Sequence, residues 1–316
     1  MPLIATIVWP LVNARERRAR AGLRVLAQLV LLSLATLLFG ALFHLFDVVG
    51  RALFPAAHGW FGALRAAPSP QWLLFATSMC LRITVSVWIA RRFIDRRSFA
   101  SLGVGWDKAA GRDLFLGVLV GGLIQSVVFG IEWLAGWLQI AGLGFAPRSA
   151  ALFAWSAATM CVVFALVAWH EELLARGYWL TNLTEGLNRP AAVLLSSSAF
   201  ALGHISNPNV TWVAIIALLG PGLLFAWAVM RTGRLWLAMG IHFGWNFFEG
   251  SVFGFPVSGI ATVTLLETAV DGPTLWTGGQ FGPEGGLVVL PALLAGALAV
   301  GLVTRGRSAA RHAGAD

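Results

Sequence analysis

Eight apolar stretches, at about 23–46, 71–93, 113–140, 150–179, 190–206, 209–230, 235–257 and 287–304, run through this chain. Each approaches the roughly 17–25 residues that cross a hydrocarbon core as a helix, the fifth being short. A soluble fold could not hide them, because only 11% of the 316 residues are Asp, Glu, Lys or Arg, against about 25% in water-soluble domains. An ordinary globular enzyme is excluded, and so is a disordered chain, which needs low hydrophobicity. The 36 Gly and 15 Trp suit helices that approach closely in lipid and are anchored at its interfaces. The expectation is an all-α, polytopic integral membrane protein of about eight transmembrane helices.

A net charge of +8 would suggest nucleic acid in a soluble protein. Here the arginines flank apolar runs, so they read as helix-orienting charges and no nucleic-acid partner is expected. With the amino terminus inside, Arg15 to Arg24, Arg91 to Arg112, Arg176, Arg189, Arg231, Arg234 and Arg305 to Arg311 share one side, leaving Arg51, Arg65 and Arg148 outside and Arg82 within a span. That is the positive-inside pattern. It predicts both termini in the cytoplasm of a bacterial-type plasma membrane, with no cleavable signal peptide. The organisation expected is a basic segment 1–22, one transmembrane domain 23–304 with its core at about 150–257, and a basic tail 305–316. The outer loop 258–286, acidic and Gly-rich, reads as a solvated linker. Cys80 and Cys161 lie in apolar runs and imply no disulfide framework.

Ionisable residues inside spans cost about 2.5–3.5 kcal/mol at the bilayer centre on insertion scales, so they mark function or a specific partner. Here they cluster in the fourth, fifth and seventh stretches. The fourth reads Ala168-Trp169-His170-Glu171-Glu172-Leu173-Leu174-Ala175-Arg176. Glu172 lies one turn before Arg176, the favourable order for an ion pair. Glu171 points about 100° away and is left without that partner. The fifth carries Phe200 and His204, and the seventh carries His242 and Asn246, each pair at i, i+4. Were the fourth and fifth helices an antiparallel hairpin turning at Gly186 to Pro190, Glu171 and His204 would be equidistant from the turn. Gly220-Pro221-Gly222 would break the preceding helix near the depth of His242 and open a cavity there. Glu132 and Arg82 read as residues that pair or snorkel, Glu249 as a structural acid or a further site carboxylate, His170 as a helix-interface contact, and Tyr178 with Trp179 as an aromatic belt.

Glu171, Glu172 and Arg176, then Phe200 and His204, then His242 and Asn246, in that order on three spans, resemble the motifs of the intramembrane proteases related to the CAAX prenyl endopeptidase and to bacteriocin-processing and immunity proteins. The resemblance covers roughly 150–250. It implies a bundle of about eight helices around a conical cavity, and hydrolysis of a peptide bond in a membrane-associated protein, whether lipidated, leader-bearing or anchored at its carboxy terminus. It also implies that Glu171 and His204 hold and deprotonate water while His242 and Asn246 stabilise the oxyanion. Glu172, Arg176 and Phe200 take supporting roles. No cofactor is expected on this reading. Two alternatives compete with it: a zinc enzyme with Glu171, His204 and His242 as ligands, and a non-enzymatic carrier or adaptor using the same polar cavity. The second His of a zincin motif is absent, since position 174 is Leu.

Overall fold

The computed structural model describes residues 12–13, 18–53, 68–145 and 150–306. The expectations resting on Arg65, Arg148, most of segment 1–22 and the tail from 307 onward lie outside the described residues. The chain forms α1 (Ala21–Leu53), α2 (Pro68–Ile89), α3 (Lys108–Leu134), α4 (Ala150–Glu172), α5 (Arg189–Leu202), α6 (Trp212–Ala217), α7 (Leu219–Thr232), α8 (Trp236–Asn246) and α9 (Val289–Val303). The protein is an all-α polytopic membrane protein. Five helices, Ala21–Leu53, Pro70–Ile94, Lys108–Leu134, Ala150–Gly186 and Trp212–Thr232, are long and apolar enough to cross a bilayer, while α5 and α9 are apolar but shorter. Their outward faces are rows of exposed Leu, Val and Phe, and of the 33 residues of α1 only Ala21, Arg24 and Gln28 are buried. Such faces belong in lipid, where apolar surface carries no penalty.

Helix boundaries follow local chemistry. Asp107 caps α3 by accepting from the Ala110 N–H at 2.8 Å, and Asn188 caps α5 by accepting from the Ala191 N–H at 2.9 Å, each satisfying an orphan donor of the first turn. Arg234 clasps Asp107, with Nη2 to Oδ2 at 2.8 Å. That hydrogen bond, with the Ala110 N–H second, holds the Asp107 carboxyl down at about 2. The clasp ties the start of α3 to the start of α8, and the two helices then pack backbone to backbone. A Cβ at Gly117 or Gly121 would stand 2.4 Å from the Leu237 or Ile241 carbonyl oxygen, and one at Gly240 or Gly244 would stand 2.2 or 2.4 Å from the oxygens of Leu114 or Val118. Two reciprocal Gly-x-x-x-Gly patterns therefore let these helices meet.

Four expectations need correction. The apolar stretch 113–140 does not continue as one helix: α3 stops at Leu134, Gly136 turns at φ 73°, and Leu138–Leu143 pairs antiparallel with Leu266–Val270. The outer loop 258–286 is accordingly no solvated linker but is stapled to the end of α3. The helix before α8 breaks at Leu218, between α6 and α7, and Pro221 sits in the first turn of α7, where its missing N–H costs little. Tyr178 marks no aromatic belt. It is fully buried, and its hydroxyl donates to Asp95 Oδ1 at 3.1 Å.

Candidate active site

α4 does not end at Glu172. It widens into a π-helical segment, Leu173–Leu180, and closes with Thr181–Gly186. The hairpin turn thus falls where the sequence put it, with Glu171 and His204 fifteen residues from Gly186 and Arg189 respectively, roughly 22 Å at 1.5 Å per residue. The two residues do come together, Glu171 Oε2 and His204 Nε2 standing 4.0 Å apart.

Glu171 Oε2 stands 4.0 Å from His204 Nε2 and 3.9 Å from His242 Nε2. Among the described residues no hydrogen bond satisfies that oxygen. All three residues line one cavity of about 290 Å³, together with Asn246, Phe200 and His170. Most of its wall is apolar, supplied by Trp72, Phe75 and Met79 of α2 and by Met160 and Phe164 of α4.

Each imidazole is oriented through its other nitrogen. α5 ends at Leu202, so His204 lies just beyond the helix and not on it. Its Nδ1 is 2.9 Å from the Phe200 carbonyl oxygen. A carbonyl only accepts, so Nδ1 carries the hydrogen and Nε2 of the neutral ring presents a lone pair to the cavity. His242 Nδ1 lies 3.0 Å from Glu172 Oε1, an oxygen that also accepts from Arg176 Nη1 at 3.0 Å. Nε2 of His242 is therefore a donor only as the imidazolium, whose charge the buried Glu172 carboxylate faces directly.

Arg176, fully buried, gives Nη2 to the Gly222 carbonyl at 2.9 Å and stacks 4.2 Å above the Phe200 ring centroid. Phe225 stacks on His242 at 5.1 Å, nearly parallel. The expected ion pair between Glu172 and Arg176 is thus present. Together with Phe200 it forms a plinth that joins α4, α5 and α7 beneath both imidazoles.

Of the remaining sequence candidates, His170 faces the cavity while its Nδ1 is held on the Leu166 carbonyl at 2.7 Å. Glu249 is buried outside the cavity wall. Arg82 binds locally, to Ser78 O and Met79 Sδ. Glu132 does not snorkel: it is fully buried, and among the described residues neither carboxylate oxygen has a hydrogen-bond partner. Sequence reasoning missed Asn207, Ser258, Thr262 and Glu284, which complete the polar part of the wall. They lie in loops without periodicity, and the only available signal was an acidic residue in a loop lacking basic ones.

The donor set is a poor match to zinc. Among the described residues no three His, Cys, Asp or Glu side chains stand close enough to hold a metal ion. With bonds of about 2.0–2.1 Å, neighbouring ligands of a tetrahedral zinc stand about 3.4 Å apart. The separations of 3.9 and 4.0 Å are wider, so these residues do not fit the metal as they stand.

Residues 153–248 match the family model of the Rce1-like type II CAAX prenyl endopeptidases. The matched stretch contains every motif residue from Glu171 to Asn246. No curated protein and no solved structure matches the chain.

Proposed function

We propose that the protein is an intramembrane endopeptidase in which Glu171 and His204 activate a water molecule against a peptide bond of a membrane-associated protein. The observation that carries this reading is the open triangle of Glu171 Oε2 and two imidazole Nε2 atoms at 3.9 and 4.0 Å. That spacing is too wide for direct hydrogen bonds and suits a bridging water oxygen about 2.8 Å from each. The family match supports the reaction class. The residues that carry the resemblance all lie within the matched stretch.

The water donates one hydrogen to Glu171 and the other to the lone pair of His204 Nε2, which aims its oxygen at the scissile carbonyl carbon. As the bond forms, the proton passes to Glu171 and the carbonyl oxygen becomes an oxyanion. Asn246 and protonated His242 donate to that oxyanion in a site with little competing water. Collapse breaks the C–N bond as Glu171 returns its proton to the departing nitrogen, and the second water proton passes through His204 Nε2 to the amine, leaving a carboxylate on one product and an ammonium on the other. Glu172 balances the imidazolium of His242, and Arg176 with Phe200 holds Glu172 in place. No cofactor enters this scheme. The apolar wall from α2 and α4 offers a place for the lipid-facing part of the substrate. We also place the arginine-rich end of the molecule, with both termini, on the cytoplasmic side of a plasma membrane.

Glu171→Gln and His204→Ala, purified folded in lipid nanodiscs, should each abolish cleavage in a comparison of membrane-protein termini with the wild type, while Glu132→Gln should retain it. Cleavage that survives either of the first two ends the glutamate scheme. Activity lost on stringent zinc removal and restored by zinc would replace it with the metal-dependent one.

A further inference from the structure

The loop that follows α8, beyond the matched stretch, sends one carboxylate back into the cavity. Glu284 is 4% exposed and lines the same space as Glu171, His204 and His242. Its position is fixed from two sides. Oε2 accepts from Trp245 Nε1 at 3.1 Å, and Oε1 accepts from the Ser258 hydroxyl. Trp245 is the residue before Asn246 and packs edge-on against Phe225, the ring stacked on His242. The Ser258 carbonyl accepts from Asn207 Nδ2 at 3.2 Å, and the Asn207 N–H bonds the His204 carbonyl at 3.0 Å. The backbone beneath Glu284 is equally seated: Gly282 turns at φ 109°, and a Cβ there would stand 2.0 Å from the Pro256 carbonyl oxygen. Glu284 is therefore held at the cavity by contacts that lead back to both imidazoles.

The wall carries more negative than positive charge, because the His242 imidazolium is already faced by Glu172 from behind the wall. Among the described residues, the cavity is lined by two carboxylates, Glu171 and Glu284, and by no Lys or Arg. In the scheme above Glu171 is engaged by water and the two imidazoles. Glu284 has four lone-pair directions, of which Trp245 and Ser258 use two. A carboxylate in a confined, mostly apolar space is best completed by a charged donor. A second carboxylate brought there meets like charge at low effective dielectric.

Resting on the protease reading, we propose that Glu284 binds a cationic group of the substrate, a Lys or Arg side chain near the scissile bond, and disfavours an Asp or Glu side chain at the same place. Glu284 is then a specificity residue contributed by the loop, while the matched stretch supplies the reacting groups.

The test uses the full chain in nanodiscs carrying Glu171→Gln, which leaves Glu284 as the one cavity carboxylate. The probe is a library of amphipathic, membrane-inserting peptides randomised at six central positions, with retained peptides sequenced by mass spectrometry. Lys and Arg should be enriched over Asp and Glu by about tenfold or more at one or two positions, the factor a single charge-assisted hydrogen bond supplies. In Glu171→Gln/Glu284→Gln the ratio should fall toward one, and in Glu171→Gln/Glu284→Asp it should persist. A purely structural Glu284 would lower total binding without changing that ratio. No cation enrichment in the single variant, or enrichment that survives Glu284→Gln, overturns the proposal. If the double variant does not fold, the single variant decides alone. Wild-type protein that cleaves none of the retained peptides, with the Lys preference intact, would instead overturn the protease reading and leave the cation site standing.

Discussion

Two clusters of buried charge in this molecule are built alike and finished differently. At the arginine-rich end Asp95, buried with Arg91 and Arg24, accepts from Arg91 at 2.8 Å, from Tyr178 at 3.1 Å and from Asn182 at 3.2 Å, and Arg24 reaches Glu185 at 2.6 Å. Both carboxylate oxygens of Asp95 are spoken for. In the cavity Glu172 is pinned through one oxygen, Oε1, by Arg176 and His242, while among the described residues its Oε2 and Glu171 Oε2 have no hydrogen-bond partner, the latter with two imidazoles at the distance of one intervening water. Burial and charge are common to both clusters. What separates them is where the open atom points: both oxygens of Asp95 are engaged, and the atoms around it left without a hydrogen-bond partner among the described residues, Arg24 Nε and Nη1 and Asn182 Oδ1, lie off the cavity wall, whereas Glu171 Oε2 belongs to a residue of that wall and stands beside two imidazoles.

Crossing the two sites gives the largest expected effects. Glu171→Gln should take cleavage below detection, a loss of at least the roughly 10²–10⁴ of a general base, with the thermal unfolding midpoint nearly unchanged. Asp95→Ala should do the reverse. Stranding Arg91 and Arg24 costs about 3–5 kcal/mol, read as a large drop in midpoint and yield, while whatever folds still cleaves. A stable Asp95→Ala protein, or a Glu171→Gln protein that unfolds, would erase the distinction between a cluster that holds helices and one that faces the cavity.

The next effect tests how the open cluster is held. On one helix, α3, Gly121 abuts the Ile241 carbonyl, whereas a Cβ added at Gly130 would meet nothing within 4 Å. Gly121→Leu should cost about 1–3 kcal/mol of stability by overpacking and also reduce cleavage, since it displaces the helix that carries His242 and Asn246. Gly130→Leu should change neither. Equal behaviour of the two variants in a paired stability and activity measurement would mean that the close approach of α3 and α8 does not position the site.

What the sequence disclosed, and what it withheld, follows the same division. Glu171, His204 and His242 could be found because an ionisable residue in an apolar run is costly wherever the helix goes, and the meeting of the first two followed from counting fifteen residues either side of the turn. Glu284 could not be found, because a loop residue has no period and its partners Trp245 and Ser258 lie 39 and 26 residues away. Tyr178 was misplaced for a related reason: an isolated Tyr-Trp pair reads as an interface, and only the fold shows Asp95, 83 residues distant, waiting for the hydroxyl. The paired Gly-x-x-x-Gly patterns at 117–121 and 240–244 were visible, but neither says which helix it meets. The strand pair Leu138–Leu143 with Leu266–Val270 was hidden because its first strand prolongs an apolar helical stretch without a change in composition.

A smaller effect separates the pinned carboxylate from the open one within the site. Glu172→Gln keeps the shape and can still accept from Arg176 and His242, but it removes the negative charge that the His242 imidazolium faces. A loss of about tenfold in kcat is expected, worth roughly 1.4 kcal/mol of one charge-assisted hydrogen bond, with KM little changed because the ground-state substrate does not need that charge. A change confined to KM would instead put Glu172 in substrate binding.

The smallest effect belongs to the clasp between Asp107 and Arg234, which is exposed and far from the cavity. Its carboxyl is held down at about 2, by the Arg234 hydrogen bond first and the Ala110 N–H second. Because the folded value is depressed, the stabilisation is complete above the ordinary carboxylate range and is lost only as pH falls through about 2. The difference in unfolding midpoint between wild type and Asp107→Asn should therefore be small and flat from about pH 5 to pH 8, shrinking with added salt as an exposed pair does. Cleavage across the same range should be the same in both proteins, since the start of α8 is also held by the Leu235 N–H on the Gly103 carbonyl at 3.1 Å. A midpoint difference that varies across that window would show that the clasp answers to a group other than Asp107.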